Sequence, residues 1–151
     1  MTSRVEILLV EDNPADIELT LRELRRQKNL VDRVQVVDDG EKALEFLFRE
    51  GDYAERPLIN PNLILLDLKL PKLDGLEVLR EIRADARTTM IPVVILTSSK
   101  EQEDVVSSYR LHVSSYIQKP VDFRQFQKTI EEIGYYWTEM NVPPSGGDGL
   151  V

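Results

Sequence analysis

Short apolar runs recur along the chain at Ile7-Leu8-Leu9-Val10, Val34 to Val37, Leu63-Ile64-Leu65-Leu66, Val93-Val94-Ile95-Leu96 and Ser115 to Gln118. Most leave neither face for water, the pattern of a strand buried between two helical layers. Between the runs the spacing becomes helical. Ile17, Leu21 and Leu24 follow the first run, Ala43, Leu44 and Leu47 the second, Leu76, Leu79 and Ile82 the third, and Val105, Val106 and Tyr109 the fourth. After the fifth comes the stripe Phe123, Phe126, Ile130, Ile133 and Trp137, read as core. Asn13-Pro14 supplies a cap and a proline for the first helical position, with Asp16 in the first turn. Asp74-Gly75 and Lys119-Pro120 punctuate two later strand-to-helix junctions. Five β-α units in alternation predict a parallel sheet with right-handed crossovers and helices on both faces. Such a doubly wound α/β sheet binds ligands outside the carboxyl ends of its strands, where the strand order reverses.

Two stretches depart from this alternation. Glu50 to Asn62, with Gly51, Pro57 and Pro61, makes a long connection before the third strand. Met140 to Val151, with Pro143-Pro144 and Gly146-Gly147, has the composition of a mobile tail. The expected organisation is one domain over 1–138 and a flexible tail over 139–151.

Composition narrows the function classes. At 151 residues there is room for one ordinary core, and 42% hydrophobic with 30% charged residues reads as globular rather than disordered. The absence of cysteine excludes disulfides and thiolate metal sites. Val5 to Val10 is interrupted by Glu6 and is too short for a secretory leader or a membrane span, so the expected place is the cytoplasm, with no membrane association. A net charge of −8 opposes general nucleic-acid binding, which relies on Lys and Arg meeting phosphates.

The informative polar residues stand at strand ends: Glu11-Asp12 after the first, Asp67 after the third, Thr97-Ser98 after the fourth and Lys119-Pro120 after the fifth. A parallel sheet brings all of them to one edge. Clustered carboxylates stay ionised only with a cation nearby, and an all-oxygen site suits Mg²⁺. A carboxylate beside Mg²⁺ is a nucleophile toward phosphorus, while Thr97 and Lys119 can meet the phosphoryl oxygens. Taken singly, each position is an ordinary turn or cap residue, and the joint pattern carries the argument.

From Glu6 to Trp137 the chain resembles the receiver family of two-component response regulators. The resemblance rests on Val10-Glu11-Asp12-Asn13, on Leu66-Asp67-Leu68-Lys69-Leu70-Pro71 with Asp74-Gly75, on Leu96-Thr97-Ser98 and on Lys119-Pro120, and includes the spacings between Asp67, Thr97 and Lys119. It implies a flavodoxin-like sheet of order 2-1-3-4-5 and a phosphoacceptor Asp67 served by a sensor histidine kinase. Glu11 and Asp12 then organise Mg²⁺ with Asp67 and the Lys69 main-chain carbonyl. Thr97 becomes the switch hydroxyl, Lys119 the phosphoryl contact, and Tyr116 the switch aromatic, with a cis bond between Lys119 and Pro120. The resemblance makes the chain a signalling protein that assists its own phosphotransfer and dephosphorylation. The long Glu50–Asn62 connection and Tyr135-Tyr136-Trp137 with Val142-Pro143 are similar to the small regulators that serve bacterial phytochromes. Tyr135, Tyr136 and Trp137 suggest an interface, and receivers often form homodimers through the fourth helix, fifth strand and fifth helix. With no output domain expected after residue 137, signalling to an unnamed downstream protein would run through protein contacts.

Rival readings fit less well. A haloacid-dehalogenase phosphatase resembles a pattern with a second Asp two residues after the nucleophile, where this chain has Lys69, and it usually carries a cap domain. Nucleotide-binding folds need a glycine-rich loop after the first strand, and Glu11-Asp12-Asn13-Pro14 would repel phosphate without a metal. The lone His112 follows an amphipathic helix and reads as surface rather than as a phosphotransfer group. A receiver working only as a binding module would leave a complete constellation idle.

Overall fold

A computed structural model describes residues 5–27 and 33–144. Its strands are β1 (Ile7–Val10), β2 (Val34–Val37), β3 (Leu63–Leu66), β4 (Val93–Thr97) and β5 (Ser115–Gln118). They form one parallel sheet of order β2-β1-β3-β4-β5. Helices α1 (Pro14–Arg25), α2 (Gly40–Phe48), α3 (Gly75–Ala84), α4 (Gln102–Arg110) and α5 (Phe123–Tyr135) alternate with the strands. The chain steps from β1 outward to β2 and then back across to β3, so the order reverses between β1 and β3. Their carboxyl ends therefore flank the crevice where open α/β sheets bind ligands.

The period-two alternation of strand side chains builds two cores. Ile7, Leu9, Leu63, Leu65, Val94 and Leu96 face Leu24 of α1 and Phe126, Ile130 and Ile133 of α5. Leu8, Val10, Ile64, Leu66, Val93 and Ile95 point the other way, onto Ala43, Phe46 and Leu47 of α2 and Val78, Leu79 and Ile82 of α3. Each fully buried aliphatic side chain contributes about 1.5–3 kcal/mol. A one-residue slip of any central strand would exchange its two faces, and with apolar residues on both the register is set by fit to the helices.

Side-chain caps begin four of these five helices, the expected one at Asn13 among them, while α4 has none. Asn13 accepts from the Ala15 and Asp16 amides with Pro14 at the first helical position, Asp39 caps α2, Asp74 caps α3 and Asp122 caps α5. The long connection after α2 is anchored by Arg56. Its guanidinium lies 4.1 Å over the Phe46 ring and donates to the carbonyls of Phe46 and Leu47 at the end of α2, and to those of Pro57 and Ile59.

Three expectations for the core are corrected. Phe123 is 53% exposed, because it opens α5 one turn ahead of the residues that reach the sheet. Val106 and Tyr109 also face solvent, and the position that α4 buries completely is Ser108, since this short helix rests lightly on β5 and α3. Trp137 packs against the α1/α5 core, from a π-helical turn (Tyr136–Met140) that prolongs α5. The tail expected from 139 lies outside the described residues from 145 onward.

Candidate functional site

Strand pairing continues one residue past the strands and thereby fixes the site. The Glu11 amide donates to the Val37 carbonyl (3.1 Å), the Asp67 amide to the Val10 carbonyl (3.0 Å) and the Lys119 amide to the Thr97 carbonyl (2.7 Å). The main chain of each residue is thus held by its neighbour strand, and the side chains project over the edge.

They converge. Glu11, Asp12 and Asp67 each present a carboxylate oxygen within 4.8 Å of the others'. Lys119 reaches the same point from β5, with Nζ 2.7 Å from Glu11 Oε1, 2.9 Å from Asp67 Oδ2 and 2.8 Å from Asp16 Oδ2. Glu11 Oε2 accepts from the amides of Asp12 and Asn13, and Asp67 Oδ1 from the amide of Lys69 (3.1 Å). Glu11 and Asp67 are buried, whereas Asp12 is exposed.

Burial pushes the Glu11 carboxyl up to about 7; the Asp67 charge adds to this and the Lys119 hydrogen bond opposes it. Burial also acts to raise Asp67, but hydrogen bonds from Lys119 and Thr97, the Lys119 charge and the Lys69 amide outweigh it and hold Asp67 below the usual carboxylate range. Burial alone would lower Lys119; its hydrogen bonds to Asp16, Glu11 and Asp67 raise it above an ordinary lysine. One ammonium therefore serves more carboxylates than it can neutralise. Such an oxygen donor set lacks positive charge, which a hard divalent cation supplies.

Two glycines hold the loop that carries Asp67. A Cβ on Gly75 would sit 2.4 Å from the Asp67 carbonyl oxygen and 2.6 Å from Leu68 Cα. On Gly40 it would meet the Leu73 carbonyl oxygen at 1.9 Å. The Gly75 amide closes the loop by donating to the Leu68 carbonyl (2.9 Å).

Thr97 is fully buried, with its Oγ1 accepting from the Ser99 amide (3.4 Å), while Ser98 beside it is exposed. Tyr116 packs its ring against the α2/α3 core and donates its hydroxyl to the Ser99 carbonyl (3.0 Å). Ser99 Oγ in turn donates to Asp104 Oδ2 (2.6 Å), tying the β4–α4 loop to α4. Lys69 is exposed at the rim. Tyr135 and Tyr136 lie exposed at the far end of α5, remote from this edge in the chain, with Tyr136 edge-on to Trp137 at 5.0 Å. His112 is exposed in the α4–β5 turn at φ 60°, with its carbonyl accepting from Arg83.

The strand-end residues singled out in the sequence thus come together, and the structure adds Asp16, Ser99 and Asp104. Asp16 was legible only as a first-turn acid. Side chains on a helix lean toward its N-terminus, so a first-turn residue of α1 leans back over the strand edge, and that was the available signal. One expectation is corrected: the Lys119–Pro120 bond is trans, as no described peptide bond is cis. Trans is the lower-energy isomer of an X-Pro bond by about 0.5–1 kcal/mol, and in it the Lys119 amide and side chain already meet their partners.

Comparison with known proteins agrees with this geometry. Residues 7–131 match the response regulator receiver domain family. Response regulator Rcp1 of Synechocystis is 41% identical over 139 residues, covering 92% of each chain. The structure of its Mn²⁺-bound form superposes with a TM-score of 0.86, covering 94% of this chain and 99% of that one. The bacteriophytochrome response regulator RtBRR is 51% identical, with a TM-score of 0.73 over 96% of this chain and 87% of its own. Phosphorylation on an aspartate and divalent-metal binding are typical of this family. The chain belongs to the response regulator receiver domain family and is a receiver-domain response regulator close to those of phytochromes.

Proposed function

We propose that Asp67 is the phosphoacceptor of this regulator, taking a phosphoryl group from a phosphohistidine of a partner sensor kinase of the phytochrome kind. The observation that carries this reading is the meeting of Asp67 with Glu11, Asp12 and Lys119 at the β1/β3 crevice. An Asp67 carboxylate oxygen forms the new O–P bond as the N–P bond to the donor imidazole breaks, and the imidazole nitrogen takes up a proton. Mg²⁺ would be held by Glu11, Asp12, Asp67 and the Lys69 carbonyl, and when bound it neutralises charge on the phosphoryl oxygens.

The chain's own groups do the positioning. The Lys69 amide orients Asp67 through Oδ1, and Lys119 is placed to meet a phosphoryl oxygen with its ammonium. Thr97 supplies a hydroxyl donor beside Asp67, and its engagement with the phosphoryl group favours the inward, Ser99-bonded placement of Tyr116. The same constellation assists hydrolysis of the aspartyl phosphate, with water as acceptor.

Output runs through contacts on the α4–β5–α5 face, where Val106 and Tyr109 are exposed, and at the end of α5, where Tyr136 is exposed over the packed Trp137 and Tyr135 is exposed on the side of Gln27. A homodimer and an unidentified downstream protein are the expected partners, in the cytoplasm and without nucleic acid or membrane. No described helix is long and apolar enough to cross a membrane.

The test is intact mass after incubation with acetyl phosphate, with and without Mg²⁺, on the natural chain and on Asp67→Asn. A single Mg²⁺-dependent phosphate adduct lost in the variant supports the reading. A folded natural chain that takes no phosphate, or a variant that still takes it, overturns it.

A further inference from the structure

Lys119 has three N–H donors, and in this structure all three are engaged, by Glu11 Oε1, Asp67 Oδ2 and Asp16 Oδ2. Two of those partners belong to the carboxylate trio that is placed to hold a cation; Asp16 does not. A divalent cation held by the trio would draw the oxygens of Glu11 and Asp67 toward itself, and a phosphoryl group on Asp67 would remove that carboxylate's free charge. Both events would weaken the hold of Glu11 and Asp67 on the ammonium. Asp16 is the one partner that neither event recruits.

We propose that Asp16 is a positioning residue for phosphoryl transfer: it is the fixed anchor that keeps the Lys119 ammonium at the crevice while Glu11 and Asp67 turn to the metal and the phosphoryl group. This rests on the reading of Asp67 as acceptor. The local structure suits an anchor. Asp16 sits in the first turn of α1, whose start is clamped by Asn13 accepting from the Ala15 and Asp16 amides and by Pro14. Its carboxylate is partly exposed and lies 2.8 Å from Nζ. Lys119 is fixed at its own main chain by the Thr97 carbonyl, so the long side chain is held at both ends. With Asp16 engaged, one N–H stays committed and the remaining two are free for phosphoryl oxygens. Without it, the ammonium in the metal-bound protein has no fixed acceptor and samples several rotamers, and the phosphoryl group must order it.

The experiment follows the Lys119 side-chain ammonium by ¹H–¹⁵N NMR in Mg²⁺ alone, alongside acetyl phosphate labelling, in the natural chain, Asp16→Ala and Asp16→Asn. An anchored ammonium exchanges slowly with water and remains visible. In the natural chain the signal should persist when Mg²⁺ is added. In Asp16→Ala it should persist without metal, held by Glu11 and Asp67, and disappear with Mg²⁺, and labelling at saturating Mg²⁺ should slow about 10-fold. Asp16→Asn keeps one acceptor oxygen and should recover most of both. Retention of the signal in Mg²⁺-bound Asp16→Ala, or labelling at the natural rate, would overturn the proposal. So would equal losses in Asp16→Ala and Asp16→Asn with the signal intact, which would assign the effect to the missing negative charge at the start of α1. If Asp67→Asn were still labelled, the acceptor reading would fall, yet the Mg²⁺-only spectra would still decide whether Asp16 anchors Lys119.

Discussion

Replacing Gly75 with alanine tests how tightly the acceptor loop is built. Gly75 opens α3, where alanine should be the better helix former by up to about 1 kcal/mol. The added Cβ, however, would stand 2.4 Å from the Asp67 carbonyl oxygen and 2.6 Å from Leu68 Cα. A carbon–oxygen approach settles near 3.3 Å, so the loop must open by roughly 0.9 Å. No flexible side-chain end can give way, because the obstructing atoms are main chain of Asp67 itself and of Leu68 beside it. Overpacking of this kind costs about 1–3 kcal/mol, which exceeds the helix gain. For a domain of this size that corresponds to a fall in Tm of about 2–12 °C, lessened by whatever part of the helix gain survives. A displacement near 1 Å at a reacting group also slows chemistry by up to about 100-fold. Thermal unfolding in metal-free buffer reads the first effect, and the rate of acetyl phosphate labelling in Mg²⁺ reads the second. Gly134→Ala is the comparison for the labelling rate: its Cβ meets the Gln27 side chain and the Cδ2 of buried Leu24 (2.9 Å), so its Tm can also fall, but it lies on the α1/α5 side of the sheet, away from the loop, and labelling should stay at the natural rate. An unchanged or raised Tm in Gly75→Ala, with labelling within twofold of the natural chain, would refute the argument that the β3–α3 junction admits only hydrogen at this position.

Other sites give equally direct outcomes. Mg²⁺ at 100 times its Kd should stabilise the fold by about 2.7 kcal/mol, raising Tm by about 5–11 °C; no shift in a calorimetric scan would remove the cation from the account of the carboxylate trio. Arg83→Ala breaks donations to the Leu111, Thr89, Ile91 and His112 carbonyls and should destabilise by about 2–4 kcal/mol in urea unfolding, a loss that Arg83→Lys, without the planar fork, should not restore. Thr97→Ala should still accept phosphate but transmit poorly. A natural phosphorylation-dependent change in partner affinity in that variant would rule out coupling through Thr97 and Tyr116. Light scattering should show a mass that rises with concentration and falls on Tyr135→Ala with Tyr136→Ala, whereas a monomer mass throughout, phosphorylated or not, would count against the homodimer.

The fold was largely written in the strands. Runs such as Leu63-Ile64-Leu65-Leu66, apolar on both faces, admit only a position between two helical layers, and that position forces a parallel sheet. Where patterning misled, the cause was an apolar residue near a helix end. Phe123 shares the helical spacing of Phe126 and Ile130, but spacing says nothing of how far along its axis a helix overlies the sheet. Tyr109 fits an apolar face that α4 does not bury, because α4 has little sheet beneath it and uses the small Ser108 for its close approach.

The site was legible for a different reason, and to a different depth. Strand pairing carried one residue beyond β1, β3 and β5 fixes where Glu11, Asp67 and Lys119 begin, so a parallel topology read from apolar runs already implied their convergence. What the pattern could not convey was distance. Gly40 reads as the residue after a cap, and nothing in the sequence says that α2 comes so near the β3–α3 loop that a methyl group would overlap the Leu73 carbonyl. Gly40 and Gly75 thus press on the two ends of one segment, with Leu73 at one end and Asp67 at the other. A loop confined this way holds the Lys69 amide on Asp67 Oδ1, so the Asp67 carboxylate is aimed by the main chain of its own loop. The preorganisation that phosphoryl transfer depends on is therefore contributed by residues with no chemistry of their own, whose role is set by the absence of a side chain.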